Sequence, residues 1–399
     1  KQTDKTSGSL KNMALAAGGI MAVSAAFRNV MSAGMDFTSQ LSNLRAITDA
    51  TDKDMKVLEK SAKELGKTTK FTAGEVVSLQ TEFGKLGFST REIQGAQKAT
   101  LELAASVNTD LSTAATIAGQ TVNQFRLTAE DTQRVVDVMA ASFSSSALDL
   151  EKFTNAMTYV GPLAGDMGIS IEGTTGLIAK LADVGIDGSI AGTALRRVFL
   201  EMGNESSKLA KRVGFAVKSE EDMFKALKQL NAEGITTTEM TELVGKRAVT
   251  AFTAMVDLAD GAETLSAALE DAGGTAERMA EQQLDNLSGD LVKLKSASEA
   301  VYLEIYEGLE PVFRLLAQSA TAFLRSIDSE EVQAYGTALL LVAGGFTAVK
   351  IQAALATSGL VAFKTALITT GVGALVVGLG ALLDYMNVFE DSTDTFAET

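Results

Sequence analysis

The sequence contains no cysteine, no histidine and no tryptophan, and only two of its 399 residues are proline. Without cysteine the chain has no disulfide, no cysteine nucleophile and no thiolate-based zinc site. Without histidine it lacks the usual neutral-pH proton shuttle and the base of a Ser–His–Asp triad. The scarcity of proline favours helices over turn-rich β structure. These absences exclude several classes of hydrolase and metalloprotein.

The chain is also poor in positive charge. It has 35 Lys and Arg against 50 Asp and Glu, so 35 − 50 gives a formal net charge of −15. A protein that grips a nucleic-acid backbone needs clustered Lys and Arg. We therefore predict no specific nucleic-acid binding.

Residues 36–273 carry dense signals for helix starts. At five places a Ser or Thr stands three residues before an Asp or Glu, which is the pattern of a capping box. Apolar residues at spacings of three and four follow each pair, as expected of amphipathic helices. The five pairs are Thr51–Asp54, Thr72–Glu75, Ser89–Glu92, Thr128–Asp131 and Ser219–Asp222.

Helix ends are predicted in the same region from glycine and proline. Gly66 stands where the helix after Thr51 should end, and Gly161-Pro162 should stop a helix capped by Asp149. Residues 240–252 predict one helix. Because no stretch alternates with period two, we predict an all-α fold in which about ten short helices form a compact multi-helix bundle.

The pattern changes after Gly273-Gly274. Apolar residues there alternate in steps of three and four, with Ser298 at one seam position, which indicates a coiled coil. We predict one long amphipathic helix from Thr275 to about Ile327, kinked at Pro311. The seam residues are Leu284, Leu287, Leu291, Leu294, Val301 and Ile305.

Residues 328–386 form the most apolar part of the chain, with only two charges between Glu331 and Asp384. Two uncharged stretches, 332–349 and 365–383, approach the ~20 residues that cross a bilayer. Their glycines and alanines favour close helix contacts. A buried helical hairpin within an oligomer and a conditional transmembrane segment are both open interpretations.

The two ends complete the predicted organisation. Residues near the start are rich in Ala, Gly and Met and predict an apolar helix that ends near Gly34. The predicted parts are an N-terminal helix (1–35), a helical core domain (36–273), a long coiled-coil-like helix (274–327), hydrophobic helical segments (328–386) and an acidic tail (387–399).

No motif indicates a reaction centre. The stretch Gly185–Thr193 lacks the lysine of a phosphate-binding loop and follows a helix, so it predicts a tight turn in which Asp187 or Ser189 caps the next helix. Arg196-Arg197 predicts a salt bridge to a neighbouring helix or subunit. Carboxylate pairs are expected on solvated helix faces. Examples are Glu75 with Glu82 and Glu220 with Glu221. We predict no catalytic, cofactor-binding or metal-ligating residue, and no cofactor.

Several blocks of the sequence occur in an order that resembles one known family. The segment AKELGKTTKFTAGEVVSLQTEFGKLGFSTREI (Ala62–Ile93) is similar to the hallmark segment of the phage tail tape measure proteins of minor-tail-protein type. Residues 101–172 resemble the middle of that family, and LADVGIDGSIAGTALRRVF (Leu181–Phe199) resembles its Gly/Ser/Thr-Leu-Arg signature. Residues 367–386 resemble its Gly-rich apolar segment. The resemblance covers roughly 35–386.

The resemblance implies a virion structural protein, not an enzyme. Members of this family template assembly of the tail tube, set tail length and leave the tube ahead of the DNA, helping to form a channel through the host envelope. The implied partners are further copies of the chain, the tube protein, tail assembly chaperones and tail-tip or baseplate proteins, with the host inner membrane on ejection. The implied locations are the tail interior or tip, the host cytoplasm during assembly and the host membrane on infection. Because members are often longer, we expect either a portion of a longer protein or a chain from a short-tailed or defective element.

Two other classes of function remain open from the residues alone. A pore-forming helical toxin would hide the hydrophobic hairpin until it met a membrane. A cell-wall hydrolase would need a carboxylate pair at a reaction centre.

Overall fold

The computed structural model describes residues 28–326 of the chain. Within that range every regular element is a helix, so the predicted all-α class is confirmed. The predicted hydrophobic segments, the acidic tail and residues 1–27 lie outside it. The α-helices are α1 (residues 28–48), α2 (Asp52–Thr68), α3 (Ala73–Lys85), α4 (Thr90–Ser106), α5 (Leu111–Gln124), α6 (Thr132–Ser145), α7 (Leu150–Asp166), α8 (Ile171–Asp183), α9 (Gly188–Gly203), α10 (Lys208–Val213), α11 (Glu220–Ala232), α12 (Thr237–Val244), α13 (Val249–Asp257), α14 (Ala259–Glu270), α15 (Thr275–Leu284) and α16 (Leu287–Ser326).

The chain divides into two compact units, Lys1–Leu303 and Glu304–Thr399. In the first unit one apolar core extends through the helical bundle, and its largest fully buried side chains include phenylalanines from four helices. In the second unit the structure describes residues 304–326, which belong to α16. The sequence-based domain boundaries stay predictions. The four phenylalanines are Phe83, Phe153, Phe199 and Phe252.

Most of the short helices begin where capping residues predict. The Thr72 hydroxyl accepts a hydrogen bond from the Glu75 amide at 3.2 Å, and the Glu75 carboxylate accepts one from the Thr72 amide at 2.7 Å. Ser89 and Glu92 form the same reciprocal box at the start of α4. Asp149 accepts from the Lys152 amide at 2.8 Å and caps α7 as predicted. Each contact satisfies an amide that the helix itself leaves without a partner.

The other predicted pairs cap in a looser form. Thr51 and Ser219 accept from the amides three residues later, and so begin α2 and α11. The Asp131 carboxylate accepts from the Thr128 amide at 3.0 Å. That pair opens a 3₁₀ turn, Ala129–Asp131, and α6 follows the turn directly.

Helices α7 and α9 pack with their backbones in near contact. Gly188 and Gly192 lie one helical turn apart on α9 and face Lys152 and Ala156 of α7. A Cβ atom on Gly192 would lie 2.7 Å from the Cα of Ala156, and one on Gly188 would lie 2.7 Å from the Cα of Lys152. Real Cβ atoms essentially never approach so closely, so this contact requires glycine at both positions.

Helix α15 is held to the bundle by a buried carboxylate from α6. Asp137 accepts hydrogen bonds from the backbone amides of Gly274 at 3.0 Å and Ala276 at 2.9 Å. Gly274 adopts a positive φ of 74°, which lets the chain turn directly into the helix. The break predicted at Gly273-Gly274 is therefore the start of a short helix within the bundle.

Three predicted helix ends are wrong. Gly66 lies inside α2, where it is buried, and α2 continues to Thr68. Helix α7 continues through Pro162 to Asp166, because buried residues on both sides of the proline, Val160 and Ala164, keep the helix packed. The helix described over residues 28–48 continues through Gly34.

Two long predicted helices are each divided in two. The chain over residues 240–252 forms α12 and α13, separated by a turn at Gly245, whose φ is 83°. The long helix predicted from Thr275 is interrupted at Asp285-Asn286 between α15 and α16. Pro311 lies inside α16 and does not end it, and the kink expected there stays a prediction.

Candidate assembly surface

The first part of α16 exposes a row of large apolar side chains. Leu287, Leu291, Leu294 and Val301 leave 74%, 57%, 65% and 53% of their surface exposed, respectively. With Ser298 they keep the three- and four-residue steps of the predicted seam. We call these four apolar residues the α16 stripe. In a monomeric protein such an exposed apolar row is unfavourable, and it is typical of an interaction surface.

The opposite face of α16 is anchored to the bundle. At about 100° per residue, Ser296 and Leu303 share one side of the helix and the α16 stripe lies on the other. Both anchor residues are buried. The hydroxyl of Ser296 lies 2.5 Å from the carbonyl oxygens of Gly66 and of Phe71. Gly66 belongs to the last turn of α2, whose carbonyls lack helical partners, so Ser296 supplies one.

One carboxyl group near this anchor has an altered titration. Burial raises the pKa of Glu299 above its usual range, and the nearby Glu75 carboxylate raises it further, against the opposing effect of Lys295. Glu75 itself is engaged in the capping box of α3. The docking of α16 therefore brings two carboxyl groups near each other.

The glycine-rich stretch after α8 is a turn, as predicted. Gly185 adopts a φ of 79°, and the Asp187 carboxylate accepts from the Ser189 amide at 2.9 Å to cap α9. Hydrogen bonds from the Ser189 hydroxyl and backbone lower the pKa of Asp187. Arg197 pairs with Glu201 at 2.8 Å on the same helix, so the salt bridge to a neighbouring helix is not formed within residues 28–326.

Three of the four carboxylates considered for catalysis have structural partners, and the fourth, Glu221, is exposed. Glu82 pairs with Lys85 at 2.8 Å. Glu220 accepts from the Ser170 amide at 3.0 Å and from the Ser266 hydroxyl at 2.7 Å, and so ties α8, α11 and α14 together. Over the part of the chain that the structure describes, no group of three or more acidic side chains is placed to hold a metal ion.

No helix between residues 28 and 326 is both long enough and apolar enough to cross a membrane. The two stretches for which a membrane span was considered, 332–349 and 365–383, lie outside that range.

Comparison with known proteins finds one matching family and two similar proteins. The family model described as "Phage-related minor tail protein" matches residues 59–230, from within α2 to α11. The chain is 26% identical over 370 residues to the "Probable tape measure protein" of Escherichia phage P2, which spans 88% of this chain. It is 28% identical over 314 residues to the "Tape measure protein" of Pneumococcus phage Dp-1, across 73% of this chain. The chain thus resembles phage tail tape measure proteins over most of its length.

The resemblance inferred from the sequence is thus confirmed. The chain covers 45% of the length of the phage P2 tape measure protein and 27% of that from phage Dp-1. It therefore spans less than half of each relative. No solved structure matches the chain at a significant level. Neither relative's name supports the pore-forming or the hydrolase interpretation.

Proposed function

We propose that the chain is a structural part of a phage tail tape measure protein, which templates tail-tube assembly and sets tail length. The observation that carries this proposal is the match to two tape measure proteins over most of the chain. A helix rises ~1.5 Å per residue, so helical sequence within a tube is a usable ruler. The compact bundle cannot serve as that ruler, because its helices fold back on each other. We assign it an anchoring role at the tail tip.

An insertion in the encoding phage tests the ruler role. A helical insert of about 42 residues placed directly after Ser326 should lengthen the tail on the order of 60 Å, measured by electron microscopy of virions. The control places the same insert at Gly234, an open turn between α11 and α12. This control should leave tail length unchanged. Tails of unchanged length with the first insert would contradict the ruler role.

Within this role, the α16 stripe is the surface through which copies of the chain associate. Its spacing suits a two- or three-stranded coiled coil, and its side chains are exposed in the single chain. The sequence has no cysteine, so one introduced cysteine reports one contact. Leu294→Cys should form disulfide-linked dimers under mild oxidation when copies run in the same direction. The control is Lys293→Cys, one residue away from the stripe.

A second pair of variants separates the stripe from general surface hydrophobicity. Leu291→Glu with Leu294→Glu should convert the purified oligomer to monomer in analytical ultracentrifugation. Val184→Glu with Leu200→Glu changes two apolar residues elsewhere, which are 52% and 48% exposed, and should leave the oligomer intact. Equal crosslinking at 293 and 294, or an oligomer that survives the α16 changes, would overturn this contact.

The remaining features of the assembly also belong to this proposal. The tube protein, tail chaperones and tip proteins are the expected partners. The virion tail is the expected location, reached through the host cytoplasm, and ejection would deliver the apolar segments to the host membrane. Vesicle dye release by the 399-residue chain, lost when residues 328–386 are removed, would support that last step. Release that continues without those residues would contradict it.

A further inference from the structure

A cleft on the first unit lies between α7, α9 and the turn that joins α12 to α13. Its volume is about 630 Å³. Apolar side chains form one part of its wall, and three cationic side chains form another part. The main lining residues are Tyr159, Ile190, Val244, Arg197, Lys246 and Arg247.

The cleft follows from two backbone features of the fold. Gly245, with its positive φ, ends α12 and places Lys246 and Arg247 on an exposed turn before α13. On the other side, the near contact of α7 and α9 brings Tyr159 and Ile190 to one wall, where 44% and 55% of their surfaces are exposed. The apolar and cationic walls are therefore built by packed helices and a tight turn.

The charge of the cleft is opposite to that of the protein. The chain has a net charge of −15, yet among residues 28–326 no Asp or Glu lines this cleft. Arg197 has one ion-pair partner, Glu201, whereas Lys246 and Arg247 have no ion pair within residues 28–326. Two cations beside an apolar wall favour a ligand that offers carboxylates and apolar side chains together.

We propose that this cleft docks an acidic amphipathic helix of a partner protein, with apolar side chains against Tyr159 and Ile190 and carboxylates at Lys246 and Arg247. A protein segment fits better than nucleic acid, because three cations around an apolar pocket give too short a track for a phosphate backbone. The proposal goes beyond the tape measure role and does not depend on the α16 stripe.

The charge requirement is tested with a defined probe. The probe is a fluorescein-labelled synthetic helix of about 18 residues, with leucines along one face and glutamates beside them. Its binding to the 399-residue protein is followed by fluorescence anisotropy. We expect saturable binding whose affinity weakens as the salt concentration is raised. The affinity should fall at least about tenfold for Lys246→Glu with Arg247→Glu. A probe with glutamines in place of the glutamates should bind at least about tenfold more weakly.

Matched variants assign the effect to the cleft. Lys53→Glu with Lys56→Glu makes the same charge change on exposed lysines of α2 and should alter affinity less than about twofold. Ile190→Ser removes the apolar contact and should also weaken binding, with no change in thermal unfolding because Ile190 is mostly exposed. Together these results would show that the cationic and the apolar contacts belong to one binding site.

Three results would overturn the proposal. The first is an absence of saturable binding by the acidic probe. The second is an equal loss of binding for the α2 and cleft charge variants. The third is tighter binding of a single-stranded DNA oligonucleotide that depends on Lys246 and Arg247, which would assign the cleft to nucleic acid.

Discussion

Helices α9 and α16 carry the same kind of apolar spacing and use it in opposite ways. On α9 the apolar residues on the face toward α7 are buried, with Leu195 and Phe199 at 0% exposure. On α16 the stripe is open, with Leu294 at 65% exposure. Apolar residues at steps of three and four therefore establish that a helix has an apolar face. What covers that face is decided elsewhere in the chain.

The difference lies in how each helix is anchored. Gly188 and Gly192 let α9 approach α7 until backbones nearly touch, and the face of α9 that carries them also buries Leu195 and Phe199. Helix α16 is anchored through Ser296 on the side opposite its stripe. A small or polar residue thus selects which face of each helix meets the bundle.

The sharpest test of this comparison makes the same change on both helices. Leu195→Glu places an unpaired carboxylate in the core and should lower the free energy of unfolding by at least about 4 kcal/mol. Leu294→Glu changes an exposed residue and should stay within about 0.5 kcal/mol of the parent protein. Denaturant unfolding followed by circular dichroism measures both. The comparison is made at a protein concentration at which the parent is monomeric, because dissociation of an oligomer also lowers the apparent stability. A large loss of stability in L294E under that condition would mean that the stripe is covered within the single chain.

The close contact of α7 and α9 predicts the next largest effect. Gly192→Ala forces a methyl group against the backbone of Ala156 and should lower the free energy of unfolding by about 3 kcal/mol. Gly95→Ala is the matched control in α4, where the nearest atom to an added Cβ lies 4.0 Å away. That control should stabilise the protein by about 0.5–1 kcal/mol. A neutral G192A would show that the two helices can separate without loss.

The anchor of α16 predicts a smaller effect. Ser296→Ala leaves the Gly66 carbonyl in the last turn of α2 without this partner and should lower the free energy of unfolding by about 1–2 kcal/mol. Hydrogen exchange should also become faster in the first turns of α16. Ser298→Ala is the control, because the Ser298 hydroxyl donates to the Lys295 carbonyl of its own helix, at 2.7 Å. Equal exchange rates in the two variants would rule out Ser296 as the anchor.

The sequence predicted local features of this fold far better than contacts between distant residues. Capping pairs such as Thr72–Glu75 and Ser89–Glu92 depend on residues three apart, so the pattern contains the whole interaction. Asp137 caps α15 by accepting from the amides of Gly274 and Ala276, which lie more than 130 positions further along the chain. No local pattern in the sequence predicts this contact. The helix end predicted at Gly161-Pro162 is wrong for the same reason, because the packing that preserves α7 comes from other helices.

The two candidate surfaces also differ in whether a local sequence pattern predicts them. The α16 stripe was visible as a rhythm of apolar residues, because one helix contains all of it. The cationic cleft was not predicted, since Tyr159, Ile190 and Lys246 come from three separate elements. The only local signal was a pair of cations after a glycine, Lys246-Arg247, which is common in any exposed turn.

The smallest predicted effect concerns the titration of Glu299 on α16. The free energy of unfolding should depend on pH with one sign for this group and with the opposite sign for the capping carboxylates of the bundle. Its pKa is raised in the folded protein by burial and by Glu75, so ionised Glu299 subtracts stability above its folded pKa. Glu299→Gln should therefore raise the free energy of unfolding at pH 7, by less than about 1 kcal/mol because the site is half-buried. The gain should shrink as the pH falls through the folded pKa and disappear below the unfolded pKa of about 4.3, where both states are protonated.

The capping carboxylates of the bundle should respond in the opposite direction. Hydrogen bonds from the Ser89 hydroxyl and then the Ser89 backbone lower the pKa of Glu92, so ionised Glu92 adds stability above its unfolded pKa, and this is lost as the pH falls through the folded pKa. Glu92→Ala should lower stability at pH 7, and its difference from the parent should narrow in acid. Both variants are compared by thermal unfolding between pH 7 and pH 4. If the E299Q gain stayed constant across that range, Glu299 would act through its shape and not through its charge.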